Sequence, residues 1–153
     1  MRFFERINYE QFKKDIADDK KLYEEMKLPV RGTAAAAGYD LPLLFDVTLE
    51  PGELKKIPTG LKAKYGHDEV MLIVVRSRMG FKYNIRLCNQ VGVIDADYYN
   101  NPDNDGHLWI RVQNEGAEAV TIKKGDAIAQ CIFVKYLTTT NDSPIKQQRA
   151  SDK

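Results

Sequence analysis

The chain has few of the residues that build metal centres and disulfide frameworks. Among its 153 residues are two cysteines, two histidines and one tryptophan. Cys88 and Cys131 form no C-x-x-C motif, which disfavours both a disulfide-stapled scaffold and a Cys/His zinc site. Unpaired thiols are typical of reducing compartments, so we expect a cytoplasmic location.

An excess of one charge and long apolar runs are also missing. Lys and Arg number 23 against 22 Asp and Glu, a formal net charge of +1, which argues against nucleic-acid binding through a broad basic face. The longest apolar run, residues 70–75, is six residues long, whereas ~20 are needed to span a bilayer. Residues 1–12 alternate charged and aromatic side chains and lack the apolar core of a secretory signal. We therefore expect a soluble protein that binds neither nucleic acid nor membranes.

The N-terminal part of the chain has a helical pattern. Residues 9–27 are rich in charged residues and contain neither Gly nor Pro. Phe12, Ile16 and Tyr23 recur there at near-helical spacings. This pattern predicts one amphipathic helix, packed on the domain or on a neighbouring subunit, within an N-terminal extension that spans residues 1–30.

The pattern changes at about residue 41 to short β-rich runs separated by turn residues. The runs lie at residues 46–49, 54–57, 70–76, 107–112, 119–122 and 128–136. Short strands with regular turns predict an all-β sandwich, barrel or jelly roll. We assign the β domain to residues 31–137 and expect a polar, flexible tail at residues 138–153.

Two segments carry polar groups suited to phosphates. In Gly38-Tyr39-Asp40-Leu41, the carboxylate of Asp40 stands at a predicted strand end. Arg76, Ser77 and Arg78 directly follow an apolar strand and offer guanidinium and hydroxyl donors, which suit phosphate oxygens. Taken singly, each segment is better explained by a structural role: the first by a turn with a capping aspartate, the second by surface ion pairs at a strand end.

Two further segments suggest a general base and a base-binding group. Residues 89–98 contain an apolar strand that ends in Asp95, and such a position can leave a carboxylate partly desolvated, as a general base requires. Asn89 offers a donor and an acceptor to a nucleobase edge, and Tyr98 offers a flat face to a sugar or base. Gln130 is a single amide among small and apolar residues. Each of these residues alone also fits an ordinary structural role.

In this order the four segments resemble the signature motifs of the trimeric dUTP diphosphatases (dUTPases). The matching text is Gly-Tyr-Asp-Leu, Arg-Ser-x-x-Gly, Asn-x-x-Gly-Val-Ile-Asp-x-Asp-Tyr and Ile-Ala-Gln, and the resemblance covers residues 28–136. It implies a jelly-roll β-barrel that assembles as a homotrimer and hydrolyses dUTP to dUMP and pyrophosphate with Mg²⁺. The chain departs from the family at Arg78, usually a small residue, and at Val75, often proline; no glycine-rich Gly-Gly-Phe-Gly text follows Arg149.

The resemblance also implies roles on the phosphate side of the site. Asp95 would activate the water that attacks the α-phosphorus. Arg76 and Ser77, with Arg78 beside them, would bind phosphate oxygens, and Gln130 would steady the phosphate chain. A Mg²⁺ ion held mainly by the triphosphate would contact Asp40 through its bound waters.

On the base side, the resemblance implies contacts to uracil and deoxyribose. Asn89 and the strand at Val93 and Ile94 would read the uracil edge, and Tyr98 would pack beneath the sugar. His107 and Trp109 are weaker candidates for contacts beside this site. In such a trimer, one subunit would supply the phosphate-side residues and another would supply Asn89, Asp95 and Tyr98.

Three alternatives stay open. A dCTP deaminase is similar in fold, although the Gly-Val-Ile-Asp-x-Asp-Tyr text fits a diphosphatase better. A regulatory or interaction protein could use the same scaffold, with the N-terminal helix or the loop at residues 100–106 as its contact surface. Asn101, Asp103 and Asp105 in that loop mimic the first half of an EF-hand, but Val112 stands where a bidentate glutamate is needed, so a solvated hairpin is favoured over calcium binding.

Overall fold

The fold is built almost entirely from short antiparallel strands. The computed structural model describes residues 1–143. The strands are β1 (Phe3–Arg6), β2 (Val30–Arg31), β3 (Tyr39–Pro42), β4 (Val47–Leu49), β5 (Leu54–Pro58), β6 (Leu61–Lys64), β7 (Glu69–Val75), β8 (Ile85–Leu87), β9 (Gly92–Asp95), β10 (Trp109–Asn114), β11 (Val120–Ile122) and β12 (Ala127–Lys135). The helices are α1 (Tyr9–Asp15), α2 (Lys20–Glu25) and α3 (Ser77–Tyr83), with one 3-10 turn at Ala96–Tyr98.

The strands form two main layers around one core. A five-stranded sheet has the order β2-β3-β12-β7-β9, and a three-stranded sheet has the order β5-β10-β8. The pairs β1-β6 and β4-β11 complete the barrel. Ile73 and Cys131 from the first sheet and Ile110 and Val112 from the second belong to one buried cluster. The all-β, jelly-roll-type barrel predicted from the sequence is therefore confirmed.

Residue alternation leaves an apolar surface on the other side of the five-stranded sheet. Along β7, Met71 and Ile73 point into the core, so Leu72 and Val74 point outward. Their cross-strand partners on the outside are Ile132 and Val93 for Leu72, and Gln130 for Val74. We call the side chains of Leu72, Val74, Val93, Ile132 and Val134 the outer apolar face. Val93 is 60% exposed, so this face is uncovered in a single chain.

The N-terminal segment differs from the single helix that the sequence predicts. Asp19 starts a second helix because its carboxylate accepts the backbone N–H of Leu22 at 3.0 Å, while the first helix has already ended at Ile16. Strand β1, which was not predicted, pairs with β6 far along the chain. The fully buried Phe12 joins a second small core with Ile7 and Leu44.

The loop at residues 100–106 is not the solvated hairpin that its sequence favours. Asn101 and Asn104 are only 5% and 8% exposed, because their amides bond to each other and to the loop backbone. Within residues 1–143, no group of three or more His, Cys, Asp or Glu side chains is arranged to hold a metal ion. No helix in this part of the chain is long and apolar enough to cross a membrane. The predicted C-terminal tail lies outside the described residues from position 144 onward.

Candidate active site

A row of cross-strand neighbours brings the predicted phosphate-side residues together. Asp40 on β3 pairs with Gln130 on β12, which pairs with Val74 on β7. Paired residues project from the same face of a sheet, and Arg76 follows Val74 by two positions, so their side chains share the outer side. Asp40, Gln130 and Arg76 line a polar pocket of about 360 Å³. Of the predicted site residues it contains Asp40, Arg76, Ser77, Arg78 and Gln130.

The guanidinium of Arg76 is held at the rim of this polar pocket. Its Nε lies 3.4 Å from Oδ1 of Asp40, and its Nη1 donates to the carbonyl of Ala127 at 3.4 Å. Both side chains of the ion pair are partly exposed, at 40% and 32%. Since a guanidinium carries five N–H donors, Arg76 keeps donors that an anion in the pocket can accept.

Arg78 and Ser77 begin the helix that follows β7, and they differ in what they contact. The Arg78 guanidinium donates to the Tyr83 hydroxyl at 3.0 Å and lies over its ring, which lowers the pKa of Tyr83. Arg78 is therefore turned toward its own helix. Ser77 is exposed at the first helical position, beside Arg76.

Gly38 explains how Gln130 reaches its position. A Cβ at Gly38 would overlap the side-chain carbonyl oxygen of Gln130 and lie 2.8 Å from its Cδ. The Gln130 amide donates to the carbonyl of Val75 at 3.4 Å. The glycine in the first motif is therefore needed for side-chain packing across two strands, which no local turn pattern reveals.

A second cleft, of about 410 Å³, contains predicted base-side residues. Asn89, Ile94 and Trp109 line it, together with Gly92. A Cβ at Gly92 would lie 3.2 Å from Cβ of Ile73, so glycine avoids a tight contact with the strand beside it, while the Asn89 amide lies at ordinary van der Waals distance. The cleft is lined mostly by apolar atoms with a few polar groups, as small-molecule sites usually are.

Lys56 and Arg111 also line the second cleft, and the sequence analysis missed them. They are cross-strand partners on β5 and β10, and Nζ of Lys56 lies 4.5 Å from the Trp109 ring centre. Charged residues on the exposed face of a strand are ordinary, so the sequence holds no signal for either residue.

Asp95 is exposed, in contrast to the partial desolvation that its strand pattern predicts. Strand β9 is an edge of its sheet, and the Asp95 side chain lies on the uncovered outer side, opposite Val70. The backbone there is well fixed, because the Tyr65 hydroxyl donates to the carbonyl of Ile94 at 2.5 Å. Burial raises the pKa of Tyr65, which keeps it a hydrogen-bond donor.

The remaining candidates do not present open surfaces to the second cleft. Val93 points to the outer apolar face and does not line the second cleft. Tyr98 is 7% exposed, and its hydroxyl accepts a hydrogen bond from Asn104 at 2.7 Å. His107 is fully buried and bonded to Asp15, so it is a structural residue rather than a surface contact.

The two groups of predicted residues lie at opposite ends of strand β7. Asp95 pairs with Val70 near the start of β7, whereas Arg76 directly follows the end of that strand. At a rise of about 3.3 Å per residue, the two positions are about 20 Å apart. Asp95 and Arg76 of one chain are therefore too far apart to act on one phosphate.

Comparison with known proteins identifies the family of this chain. The dUTPase family model matches residues 24–153. A deoxyuridine 5'-triphosphate nucleotidohydrolase of Lactococcus lactis is 44% identical over 117 residues, which cover 76% of this chain and 78% of that protein. A crystal structure of the dUTPase from Streptococcus mutans is 36% identical, with a TM-score of 0.72 over 90% of this chain and 98% of that one. The dUTPase from phage phi11 of S. aureus shares the fold, with a TM-score of 0.69 at 21% identity. By motif, by sequence and by fold, this chain belongs to the dUTPase family.

Proposed function

We propose that the protein hydrolyses dUTP to dUMP and pyrophosphate. Membership of the dUTPase family supports this reaction, since the Lactococcus lactis relative is named for dUTP hydrolysis. The observation that carries the proposal is the row of Asp40, Gln130 and Arg76 on one sheet face. This row places a carboxylate, an amide and a guanidinium in one polar pocket, where the guanidinium can donate to phosphate oxygens.

The polar pocket binds and polarises the phosphate chain. Arg76 donates to phosphate oxygens from N–H groups beyond those facing Asp40 and Ala127, and the exposed Ser77 hydroxyl adds a donor. Both donors stabilise the negative charge that develops on the leaving pyrophosphate. Gln130, fixed against Gly38, orients the chain. Arg78 is a weaker contact because Tyr83 holds its guanidinium.

Asp95 acts as the general base. Its carboxylate takes a proton from water as the water oxygen bonds to the α-phosphorus, and the bond from that phosphorus to the pyrophosphate oxygen breaks. No covalent enzyme intermediate is formed. The carboxylate is exposed in one chain, and we infer that a neighbouring subunit and the bound nucleotide enclose it.

The second cleft recognises the base. The Asn89 amide and the β9 backbone near Val93 read the uracil edge, with Ile94 and Trp109 as apolar walls. Tyr98, which is 7% exposed and does not line that cleft, packs beneath the deoxyribose beside it.

We propose that three copies of the chain form the sites jointly. The separation of about 20 Å along β7 supports a site that combines Asp95 of one copy with Arg76 of another. The outer apolar face lies on the same side of the sheet as these residues and supplies apolar area that a neighbouring copy can bury. A closed ring of three copies would repeat this contact at each site.

Mg²⁺ fits this proposal as an ion bound mainly by the substrate. Asp40 is a single half-buried carboxylate in the polar pocket, and Mg²⁺ keeps several waters and binds through one or two carboxylates plus phosphates. When bound, the ion neutralises phosphate charge. Asp40 would then accept hydrogen bonds from its waters while it stays close to Arg76.

The thiols are consistent with a cytoplasmic location, which we also propose. Cys88 and Cys131 are both unpaired. Cys131 is fully buried, and burial raises the pKa of its thiol, so it is chemically inert.

Pyrophosphate release from dUTP, dTTP, dCTP and UTP in the presence of Mg²⁺ tests the reaction. We expect rapid release from dUTP alone. Arg76→Ala should abolish it, whereas the control Arg2→Ala, whose guanidinium pairs with Glu69 away from both pockets, should retain it. Ammonia released from dCTP would instead indicate a deaminase, and the absence of any pyrophosphate would contradict the proposal.

A further inference from the structure

The hydroxyl of Tyr98 is held at two points. It accepts a hydrogen bond from Nδ2 of Asn104 at 2.7 Å and lies 3.2 Å from the carbonyl oxygen of His107, to which it donates. A phenol hydroxyl has one proton to donate, so this pairing also sets the direction of its O–H bond. The two hydrogen bonds therefore fix both the position of the Tyr98 hydroxyl and the orientation of its ring.

Asn104 is itself held in one orientation. Its Oδ1 accepts hydrogen bonds from Nδ2 of Asn101 at 2.8 Å and from the backbone N–H of Gly106 at 3.1 Å. With Oδ1 facing two donors, Nδ2 must point at Tyr98, and a flipped amide would oppose donor to donor. The residue is 8% exposed, so water does not replace these contacts.

The loop that carries Asn104 is bound to the rest of the barrel by charged and backbone groups. Asp105 accepts hydrogen bonds from Nζ of Lys62 at 2.9 Å and from the backbone N–H of Asn8 at 2.7 Å. The Lys62 Nζ also donates to Oδ1 of Asn100 at 2.6 Å, and its side chain is 8% exposed. These contacts fix the position of the loop and therefore the position of Asn104 beside Tyr98.

We propose that Asn104 is a positioning residue for Tyr98 and, through it, determines the preference for deoxyribose over ribose. This inference rests on the proposed function, in which the Tyr98 ring packs beneath the sugar. A ring held by its hydroxyl cannot withdraw to make room for a 2′-hydroxyl group, whereas a released ring can. The loop at residues 100–106 is then part of the specificity of the site rather than a surface insertion.

The test is a double-mutant cycle in the full-length protein. Asn104→Leu keeps similar size but cannot donate, and Tyr98→Phe removes the hydroxyl and keeps the ring. Each variant should lower the ratio of kcat/KM for dUTP to kcat/KM for UTP by about tenfold, the scale of one lost hydrogen bond. Both single variants lack the hydrogen bond between Asn104 and Tyr98, and Tyr98→Phe also lacks the bond to His107. The double variant should therefore show no greater loss than Tyr98→Phe alone.

Asn141→Leu, at an exposed site, is the matched control and should leave the ratio unchanged. Thermal unfolding confirms that each variant is folded, and Tyr98→Phe tests the inference even where Asn104→Leu is unstable. An unchanged ratio in either folded variant, or losses that multiply in the double variant, would overturn the inference while dUTP hydrolysis stands. A wild-type protein that releases no pyrophosphate from dUTP would overturn the proposed function as well.

Discussion

His107 and Asp15 form a buried hydrogen bond that fastens the first helix to the barrel. The Nδ1 atom of His107 donates to Oδ2 of Asp15 at 2.6 Å, and Nε2 accepts the backbone N–H of Gly60 at 2.8 Å. A ring with one nitrogen accepting and the other donating is neutral. Burial lowers the pKa of His107 and outweighs the opposite effect of Asp15. Protonation would direct an N–H at the N–H of Gly60.

This pair predicts how stability depends on pH. The unfolded chain protonates this histidine near its ordinary pKa of about 6.5, whereas the folded chain resists protonation until lower pH. The unfolded state therefore binds more protons in that range. The contribution of His107 to the free energy of unfolding should therefore be complete above about pH 6.5. The free energy of unfolding should fall as the pH is lowered through that value.

Urea unfolding from about pH 8 to about pH 5 measures this dependence. His107→Asn keeps an N–H for Asp15 but does not titrate, so it should flatten the fall. His67→Asn, at an exposed histidine, is the control and should retain the wild-type slope. An equal slope in wild type and His107→Asn would contradict the prediction.

Asp95→Asn tests the general base. The amide is nearly isosteric but cannot take a proton from water, so kcat should fall by roughly 10²–10⁴-fold while dUTP still binds. Single-turnover kinetics and a binding titration with the same variant separate the two effects. Asp68→Asn, a surface change at the Lys135 ion pair, should leave kcat near the wild-type value. Near-normal turnover in Asp95→Asn would remove Asp95 from this role.

Hybrid trimers test whether sites are shared between subunits. Asp95→Asn and Arg76→Ala proteins should each be nearly inactive. After they are unfolded together in equal amounts and refolded, about a quarter of the sites should combine an intact Asp95 with an intact Arg76 from a neighbouring copy. Pyrophosphate release should recover towards that fraction. Mixed trimers with no recovery would show that both residues serve the site of one chain.

Gly38→Ala tests the packing that orients Gln130. The new methyl would displace the Gln130 side chain, so KM for dUTP should rise by roughly threefold to tenfold with the fold intact. Gly32→Ala in the same polar pocket is the control, because no atom lies within 4 Å of its added Cβ. If Gln130→Ala already has the higher KM, adding Gly38→Ala should raise it no further. An additional rise would point to a different effect of the methyl group.

Local sequence patterns were sufficient for most strands. Leu108, Ile110 and Val112 are buried as their alternation predicts, because side-chain direction in a strand repeats every two residues. The order of the motifs also indicated the family. Asp40, Arg76 and Gln130 meet because each motif occupies a neighbouring strand, although the pairing itself is visible only in the sheet.

The tertiary structure decided what depends on contacts between distant residues. In the sequence His107 alternates with the apolar Leu108 and Ile110, which favours the exposed side, yet Asp15, 92 positions earlier, covers it. Asn104 looks like a solvated turn residue, yet its amide is turned onto Tyr98. Asp95 is exposed because β9 is a sheet edge. By itself the sequence determined which side chains of a strand share a face and which motifs are present, since both depend only on residues close together along the chain. Burial and hydrogen-bond partners required the fold, because they depend on segments that the chain brings together only on folding.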